Sequence, residues 1–362
     1  MKKDAPTHTA VWALTPGGAR LAGQIAGAMP GSTVFLKDTV AGTVDRAIPF
    51  SRLKDAIQSR FNAFSQHIFI MATGIVVRSI AGHLVNKIHD PAVVVCDELG
   101  RFAISLVSGH MGGANALAQT VSAITGGQPV ITTATDVNQK PAIDLIARRH
   151  GLVIENPAAI KTVNMALITG APIFVHDPFN QVIPHLPAKQ VKPFDNLPPD
   201  EKQAAAVYVD HICLDLPGQV LILRPGSLVA GMGCNRGTDV GEMRDLLERT
   251  FRAAGLCLAS LRCLASVDLK ADEPGLLALS ESLKVKIAFF TRQQLNTVAQ
   301  VPNPSAMVEK HIGVQSVCEA AALLATQQGR LIVPKQKTAN VTLAVAADTC
   351  TSSASDPGDR TT

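Results

Sequence analysis

Ser108, His110 and Asn115 fall within one glycine-rich stretch, Ser108-Gly109-His110-Met111-Gly112-Gly113-Ala114-Asn115. A histidine with an ordinary pKa of about 6.5 can take a proton from water near neutrality. Glycines at 109, 112 and 113 let backbone N–H groups approach a carboxylate or a developing oxyanion, and a helix beginning behind them adds its positive dipole end. Ser108 supplies a nucleophile or a hydroxyl donor, and Asn115 an amide. The pattern points to acid–base chemistry on an anionic ligand. The plain alternative is a strand-to-helix turn whose histidine only packs.

Other constellations lie on either side. Asp97 and Glu98 stand in the turn Asp97-Glu98-Leu99-Gly100. Asp and Gly are ordinary turn residues, so the plain reading is a solvated hairpin. If that turn faces the glycine stretch, either carboxylate orients His110 or acts as a second acid or base. Met71-Ala72-Thr73-Gly74-Ile75-Val76-Val77-Arg78 reads as strand, small-residue turn and helix start, with Thr73 as the N-cap. In its functional version the amides at Thr73 and Gly74 and the Arg78 guanidinium bind a carboxylate. Asp136, just after a strand, is either a helix N-cap or a site residue.

Gly231-Met232-Gly233-Cys234-Asn235-Arg236-Gly237-Thr238 is a second glycine-rich stretch. Its spacing is not that of a dinucleotide fingerprint, and no acidic residue follows where a ribose contact needs one. It reads as an anion-binding loop using Gly231, Gly233, Gly237, Thr238 and Arg236 ahead of a helix. Lys270 and Glu273 form a charged loop beside another helix start. Ser316-Val317-Cys318-Glu319 matches a capping box, a structural role for Glu319. No histidine pair has metal-ligand spacing, and neither a Walker loop nor a Gly-x-Ser-x-Gly elbow occurs, so no protein-bound metal is expected.

Positioning these residues takes alternating strands and helices. Strands at 10–15, 33–37, 67–71, 92–96, 101–107, 129–133, 152–154 and 171–175 alternate with helices over 19–28, 51–63, 140–150 and 157–169 and after Thr73 and Gly113. The alternation predicts an α/β architecture. Strands 92–96 and 101–107 pair across the Asp97–Gly100 turn. Prolines at 178, 184, 187, 193, 198, 199, 217 and 225 make 177–226 a linker or irregular subdomain with one or two strands (207–212, 220–223). A fresh unit starts at Ser227 with strand 227–231, glycine loop 231–237 and helix 239–254; strand 285–290, helix 316–327 and closing strands 330–333 and 340–346 follow. The expected division is an N-terminal α/β domain (9–136), a middle region and Pro-rich linker (137–225), a C-terminal α/β domain (226–348) and a disordered polar tail (349–362).

Composition narrows the function. A chain of 362 residues is long for one core, and 47% hydrophobic against 17% charged residues is a globular balance. An aromatic content of 4% argues against a stacking platform for single-stranded nucleic acid. A net charge of +4 without a dense Lys/Arg run suits a polyanionic small molecule rather than a nucleic acid. Seven scattered cysteines with no Cys-x-x-Cys suggest reduced thiols of a cytoplasmic protein. The apolar stretch from Ala10 to Leu14 is too short for a signal peptide, and no run reaches the length of a membrane helix.

Together these motifs resemble the CbiG family, the cobalt-precorrin-5A hydrolases of anaerobic cobalamin biosynthesis. Asp97-Glu98-x-Gly100-Arg101-Phe102, the Ser108–Asn115 motif, Thr132-Thr133-Ala134-Thr135-Asp136 and Thr73–Arg78 resemble its N-terminal region. Gly231-x-Gly233-Cys234-x-Arg236-Gly237-Thr238, Lys270-x-x-Glu273-x-Gly275-Leu276 and Gly313-Val314-x-Ser316-Val317-x-Glu319-Ala320-Ala321 resemble its C-terminal domain, which is shared with CobE-type proteins. Asn235 departs from the pattern, standing where a basic residue is expected.

The resemblance implies that the δ-lactone of a ring-contracted cobalt macrocycle is opened and two carbons leave as acetaldehyde, giving cobalt-precorrin-5B. It casts His110 as the group that activates water, with Ser108 beside it, and the Gly112 and Gly113 amides as oxyanion donors. Asp97, Glu98 or Asp136 would deliver protons. Acetate and propionate groups of an anionic tetrapyrrole would lie on the two glycine stretches. Cobalt would arrive with the substrate, with no further cofactor, and other pathway enzymes or a second copy of the chain are the expected partners. The competing class is a carrier that protects a corrinoid intermediate without turning it over. A nucleotide-binding regulator fits the glycine spacing worst.

Overall fold

A computed structural model of the chain describes residues 8–86, 90–110, 112–198, 204–298, 316–326 and 328–349. The chain divides into two compact units, Met1–Leu145 and Ile146–Thr362. The Gly313-Val314 part of the C-terminal motif and, apart from Thr349, the tail lie outside the described residues.

The first unit runs β1 (Thr9–Ala13), α1 (Pro16–Ala28), β2 (Thr33–Lys37), β3 (Ile48–Phe50), α2 (Leu53–Arg60), β4 (Gln66–Ile70), α3 (Thr73–Ile80), β5 (Ala92–Cys96), β6 (Phe102–Val107), α4 (Ala114–Thr125), β7 (Gln128–Val130) and α5 (Ala134–Val137). The strands make one seven-stranded sheet in the order β3-β2-β1-β4-β5-β6-β7. Alternation along each strand supplies both faces. Val11, Ala13, Ile68 and Ile70 pack with Leu21 and Ile25 of α1 and Leu117 and Val121 of α4. Ala10, Trp12 and Phe69 pack on the other face with Ile57 of α2 and Val76 and Ile80 of α3. This is the α/β architecture read from the sequence, with β5 and β6 paired as expected. One cap differs: Ala72, not Thr73, occupies the N-cap of α3, and no side chain caps it.

Strand direction decides where loops meet. The strands β3, β2, β1, β4 and β5 are parallel, β6 runs antiparallel to β5, and β7 is parallel to β6. Loops leaving β1, β4 and β5 therefore share one sheet edge, while those leaving β6 and β7 share the opposite edge. The order also reverses between β1 and β4, a topological switch point.

One polar group inside this core sets a pH limit. His67 is completely buried; its Nδ1 accepts from Trp12 Nε1 (3.1 Å), and its Nε2 donates to the Phe61 carbonyl (2.9 Å). Burial pushes its pKa down to about 4, with the Phe61 bond opposing. The unfolded chain takes up this proton below about pH 6.5 and the folded chain does not. Stability should therefore fall by about 3 kcal/mol as pH drops from about 6.5 to about 4. Urea unfolding followed by Trp12 fluorescence across that window measures it; a flat midpoint would show that the core accommodates the charge.

In the second unit, β8 (Val153–Ile154), β9 (Ile173–His176), β10 (Val191–Pro193), β11 (Ala205–Val209) and β12 (Val220–Arg224) form a sheet in the order β10-β9-β11-β12-β8. The proline-rich stretch thus carries three strands where one or two were expected. Its prolines are tolerated because Pro193 lies on edge strand β10, and Pro217 and Pro225 flank β12 rather than interrupt it. Helix α6 (Ile143–Arg149) begins in the first unit and ends in the second, and α7 (Ile160–Thr169) joins β8 to β9. A third sheet, β15-β14-β13-β17-β16, comprises β13 (Leu228–Cys234), β14 (Leu261–Val267), β15 (Lys286–Phe290), β16 (Arg330–Lys337) and β17 (Val341–Ala347). The described helices accompanying it are α8 (Val240–Ala253), α9 (Pro274–Leu283), α10 (Arg292–Leu295) and α11 (Val317–Leu324). Among the described residues no helix is long and apolar enough to cross a membrane.

Candidate functional site

The glycine-rich turn begins where β6 ends. Ser108 takes a left-handed φ of 58° and Gly113 one of 92°, which reverses the chain into α4. A Cβ on Gly109 would stand 2.7 Å from Asn115 Oδ1, and one on Gly112 would overlap the Ser108 side chain. The N–H groups of Ala114 and Asn115 donate to the carbonyls of Ser108 and Gly109, and Gly113 N–H donates to the His110 carbonyl. These amides close the turn on itself. The anion cradle expected at Gly113 is consequently occupied, and Gly112 N–H makes no hydrogen bond among the described residues.

The turn delivers His110 between two carboxylates. Its Nε2 lies 2.6 Å from Asp136 Oδ2, and its Nδ1 lies 3.4 Å from Asp144 Oδ2. Thr135 Oγ1 is 3.2 Å from Nε2. Asp144 and then Asp136 raise the His110 pKa above the ordinary histidine value, against the opposing effect of burial. A ring with a carboxylate at each nitrogen is matched at both ends only as imidazolium.

Asn115 completes the cluster. Its Nδ2 donates to Asp136 Oδ2 and Thr133 Oγ1, both at 3.0 Å, while its Oδ1 accepts from Ser105 Oγ at 2.7 Å. Side-chain exposures grade outward: 7% for Asp144, 11% for His110 and 33% for Asp136. All of these residues belong to the first unit.

The structure thus brings together His110, Asn115 and Asp136 from the expected set. Asp136 sits inside α5 rather than at its cap. Ser108 lies in the same turn, but its hydroxyl donates to the Asp90 carbonyl (3.0 Å) and no base activates it. Asp144 was missed. Its only sequence signal was an acidic residue at the start of a helix, among the buried apolar residues Ala142, Ile143 and Ile146.

Asp97 and Glu98 are at the wrong edge to orient His110. They precede β6 and His110 follows it, and six residues of strand separate the two positions by about 20 Å. Asp97 accepts from the N–H groups of Leu99 (3.0 Å) and Phe102 (2.8 Å), closing its own hairpin. The exposed Glu98 lies against Gly17, at the start of α1. Thr73, Gly74 and Arg78 stand at this same edge, where Arg78 Nη1 donates back to the Gly74 carbonyl (3.1 Å).

The second glycine stretch is corrected more fully. Gly231 and Gly233 are not in a loop: β13 runs through them to Cys234. A Cβ on Gly231 would collide with the Cys318 carbonyl oxygen of α11, and one on Gly233 would stand 2.7 Å from Thr342 Oγ1. The absence of a side chain at both positions permits this close packing. The remaining loop does bind a carboxylate, but one from the protein itself. Gly237 N–H donates to the fully buried Glu273 (2.8 Å), which Lys270 also meets at 3.3 Å. Arg236 is paired with Asp272 (2.7 Å) and the Leu269 carbonyl (3.1 Å), and Thr238 Oγ1 donates to the Asn235 carbonyl (2.8 Å). Ser316 caps α11 without a side-chain hydrogen bond, so no capping box forms, and Glu319 accepts instead from Lys335 N–H (3.0 Å).

Comparison with known proteins finds matches over most of the chain. Residues 55–136 match the family described as Cobalamin synthesis G N-terminal, 141–225 the Cobalamin biosynthesis central region, and 228–346 the Cobalamin synthesis G C-terminus. The cobalt-precorrin-5A hydrolase of Salmonella typhimurium is 35% identical over 349 residues, covering 94% of this chain and 98% of that protein. The protein of the same name from Priestia megaterium is 33% identical over 301 residues, 80% of each chain. The crystal structure of CobE, a protein from the cobalamin (vitamin B12) biosynthetic pathway, is 36% identical and covers 33% of this chain and 89% of that one, with a TM-score of 0.33.

Proposed function

Because the chain belongs to the cobalamin synthesis G family, we propose that it acts as a cobalt-precorrin-5A hydrolase and that its chemistry takes place around His110. The δ-lactone of the substrate is opened by water, and a two-carbon fragment leaves as acetaldehyde to give cobalt-precorrin-5B. The observation that supports this placement is the His110 clamp at the end of β6, with one carboxylate inside and one facing outward. Lactone opening needs a proton acceptor for water, a donor for the departing oxygen and a hydrogen bond to the tetrahedral oxyanion. The cluster carries the first two, and Gly112 N–H is the amide left for the third. After ring opening, the carbon–carbon bond can break with its electrons moving into the conjugated macrocycle, so the protein has only protons to manage. Cobalt is part of the substrate, and no cofactor of the protein's own enters the scheme. The six described cysteines are free thiols, which fits a cytoplasmic setting.

A second reading places substrate carboxylates at the opposite edge, on Thr73, Gly74 and Arg78. It is favoured by the switch point between β1 and β4, where open α/β sheets commonly bind ligands. One test addresses the activity itself. Anaerobic incubation of the protein with cobalt-precorrin-5A should release acetaldehyde stoichiometrically, with loss of two carbons from the macrocycle by mass spectrometry. Tight binding with no release would make the protein a carrier, and absence of both would end the hydrolase reading.

A further inference from the structure

We propose that Asp136, through its Oδ1, is the atom that takes the proton from the attacking water, and that Asp144 is a positioning residue which holds His110 against it. This division of labour rests on the hydrolase reading above and deepens it.

His110 is badly placed to be the base. Both ring nitrogens face carboxylates, and its side chain is nearly enclosed. A histidine so placed has no lone pair to offer water. Asp136 is the opposite case. Its Oδ2 is fixed by His110 Nε2 (2.6 Å) and Asn115 Nδ2 (3.0 Å), while Oδ1 has no partner among the described residues. Its side chain is also the most exposed of the three, so a carboxylate already oriented through Oδ2 borders solvent. Ser105 fixes the Asn115 amide so that its Nδ2 end points at Asp136. Asp144, buried at the start of α6, meets His110 from behind through Nδ1. The groups that face the ring include Asp136 on α5, Asp144 on α6 and the neutral Thr135 hydroxyl.

The step balances within the cluster. The water oxygen bonds to the lactone carbonyl carbon while its proton passes to Asp136 Oδ1. The ring C–O bond then breaks, and the same proton moves from Asp136 to the departing oxygen. A carboxylic acid and a free hydroxyl remain on the substrate, Asp136 is again a carboxylate, and His110 keeps both of its protons throughout.

Three measurements on the full chain decide it. Asp136→Asn should lower kcat by about 10²-fold or more, with the absorbance change on binding cobalt-precorrin-5A retained. Asp144→Asn should move the alkaline limb of the kcat profile to lower pH, since His110 then gives up its proton sooner. NMR of the free wild-type protein with ¹⁵N-labelled histidine should show both His110 nitrogens protonated near neutrality, and Asp144→Asn should lower the pH at which that signal changes. Unchanged turnover in Asp136→Asn, a neutral His110 near pH 7, or an unmoved alkaline limb and titration in Asp144→Asn would each overturn the proposal. Should Asp144→Asn fail to fold, Asp136→Asn and the wild-type titration still decide. Should the wild type release no acetaldehyde, the hydrolase reading falls while the titration still reports on the Asp144–His110 pair.

Discussion

His110→Ala is expected to lower kcat by about 10²-fold or more without abolishing substrate binding, because it removes the imidazolium that holds the proton-accepting carboxylate of Asp136 in place. Removing the imidazolium leaves Asp136 Oδ2 with Asn115 as its remaining side-chain donor and takes a cation away from the buried Asp144. Thermal melting must accompany the kinetics, because uncovering a buried carboxylate also costs stability. The two effects separate by pH. The folded-state pKa of His110 is raised, so its stabilising contribution is present below the unfolded value and is lost as pH rises through the folded one. The stability gap between wild type and His110→Ala should therefore be widest on the acid side of neutrality and close in alkaline buffer, whereas the kcat deficit persists wherever the wild type turns over. Arg78→Ala is the companion variant, since Arg78 stands at the other sheet edge. A kcat loss there as large as at His110 would move the chemistry to the switch-point edge.

Much of this fold was legible because parallel strands covered on both faces read as continuous apolar runs. Ala92–Cys96 is entirely buried, as is most of Gln66–Ile70. Helix α4 follows Gly113 as expected, and it ends at Gly126, which takes the left-handed C-cap that glycine favours. The misplaced features have tertiary causes. Asp97 and Glu98 are near His110 in sequence, but an entire strand carries the chain to the opposite edge between them. Asp144 has no local motif, because its meaning comes only from the ring that α4 and the turn before it bring to its side. Glycine pattern alone could not distinguish a backbone that approaches a ligand from one that approaches a helix.

That last ambiguity makes Gly231→Ala the second large expected effect, a loss of about 3 kcal/mol from the C-terminal sheet, at the top of the usual range for atoms forced into a packed core. Strand β13 is central, flanked by β14 and β17, and α11 crosses it at Gly231. The added methyl would meet the Cys318 carbonyl oxygen and stand 2.8 Å from Ala322 N, and both belong to helix backbone that cannot rotate aside as a side chain would. To make room, α11 must lift, uncovering Val317, Ala320 and Ala321, which it buries against Val229 and Ala265. Gly237→Ala is the internal control. It has open space for a Cβ, and its φ of 71° costs only the left-handed penalty of about 1 kcal/mol. Urea unfolding with two probes reads the difference: far-UV circular dichroism should register the weakened C-terminal sheet, while fluorescence of Trp12, the single tryptophan, reports the first unit and should keep its midpoint. A Gly231→Ala protein that stayed stable but bound its macrocycle poorly would instead restore the stretch as a ligand loop, with the packing against α11 incidental.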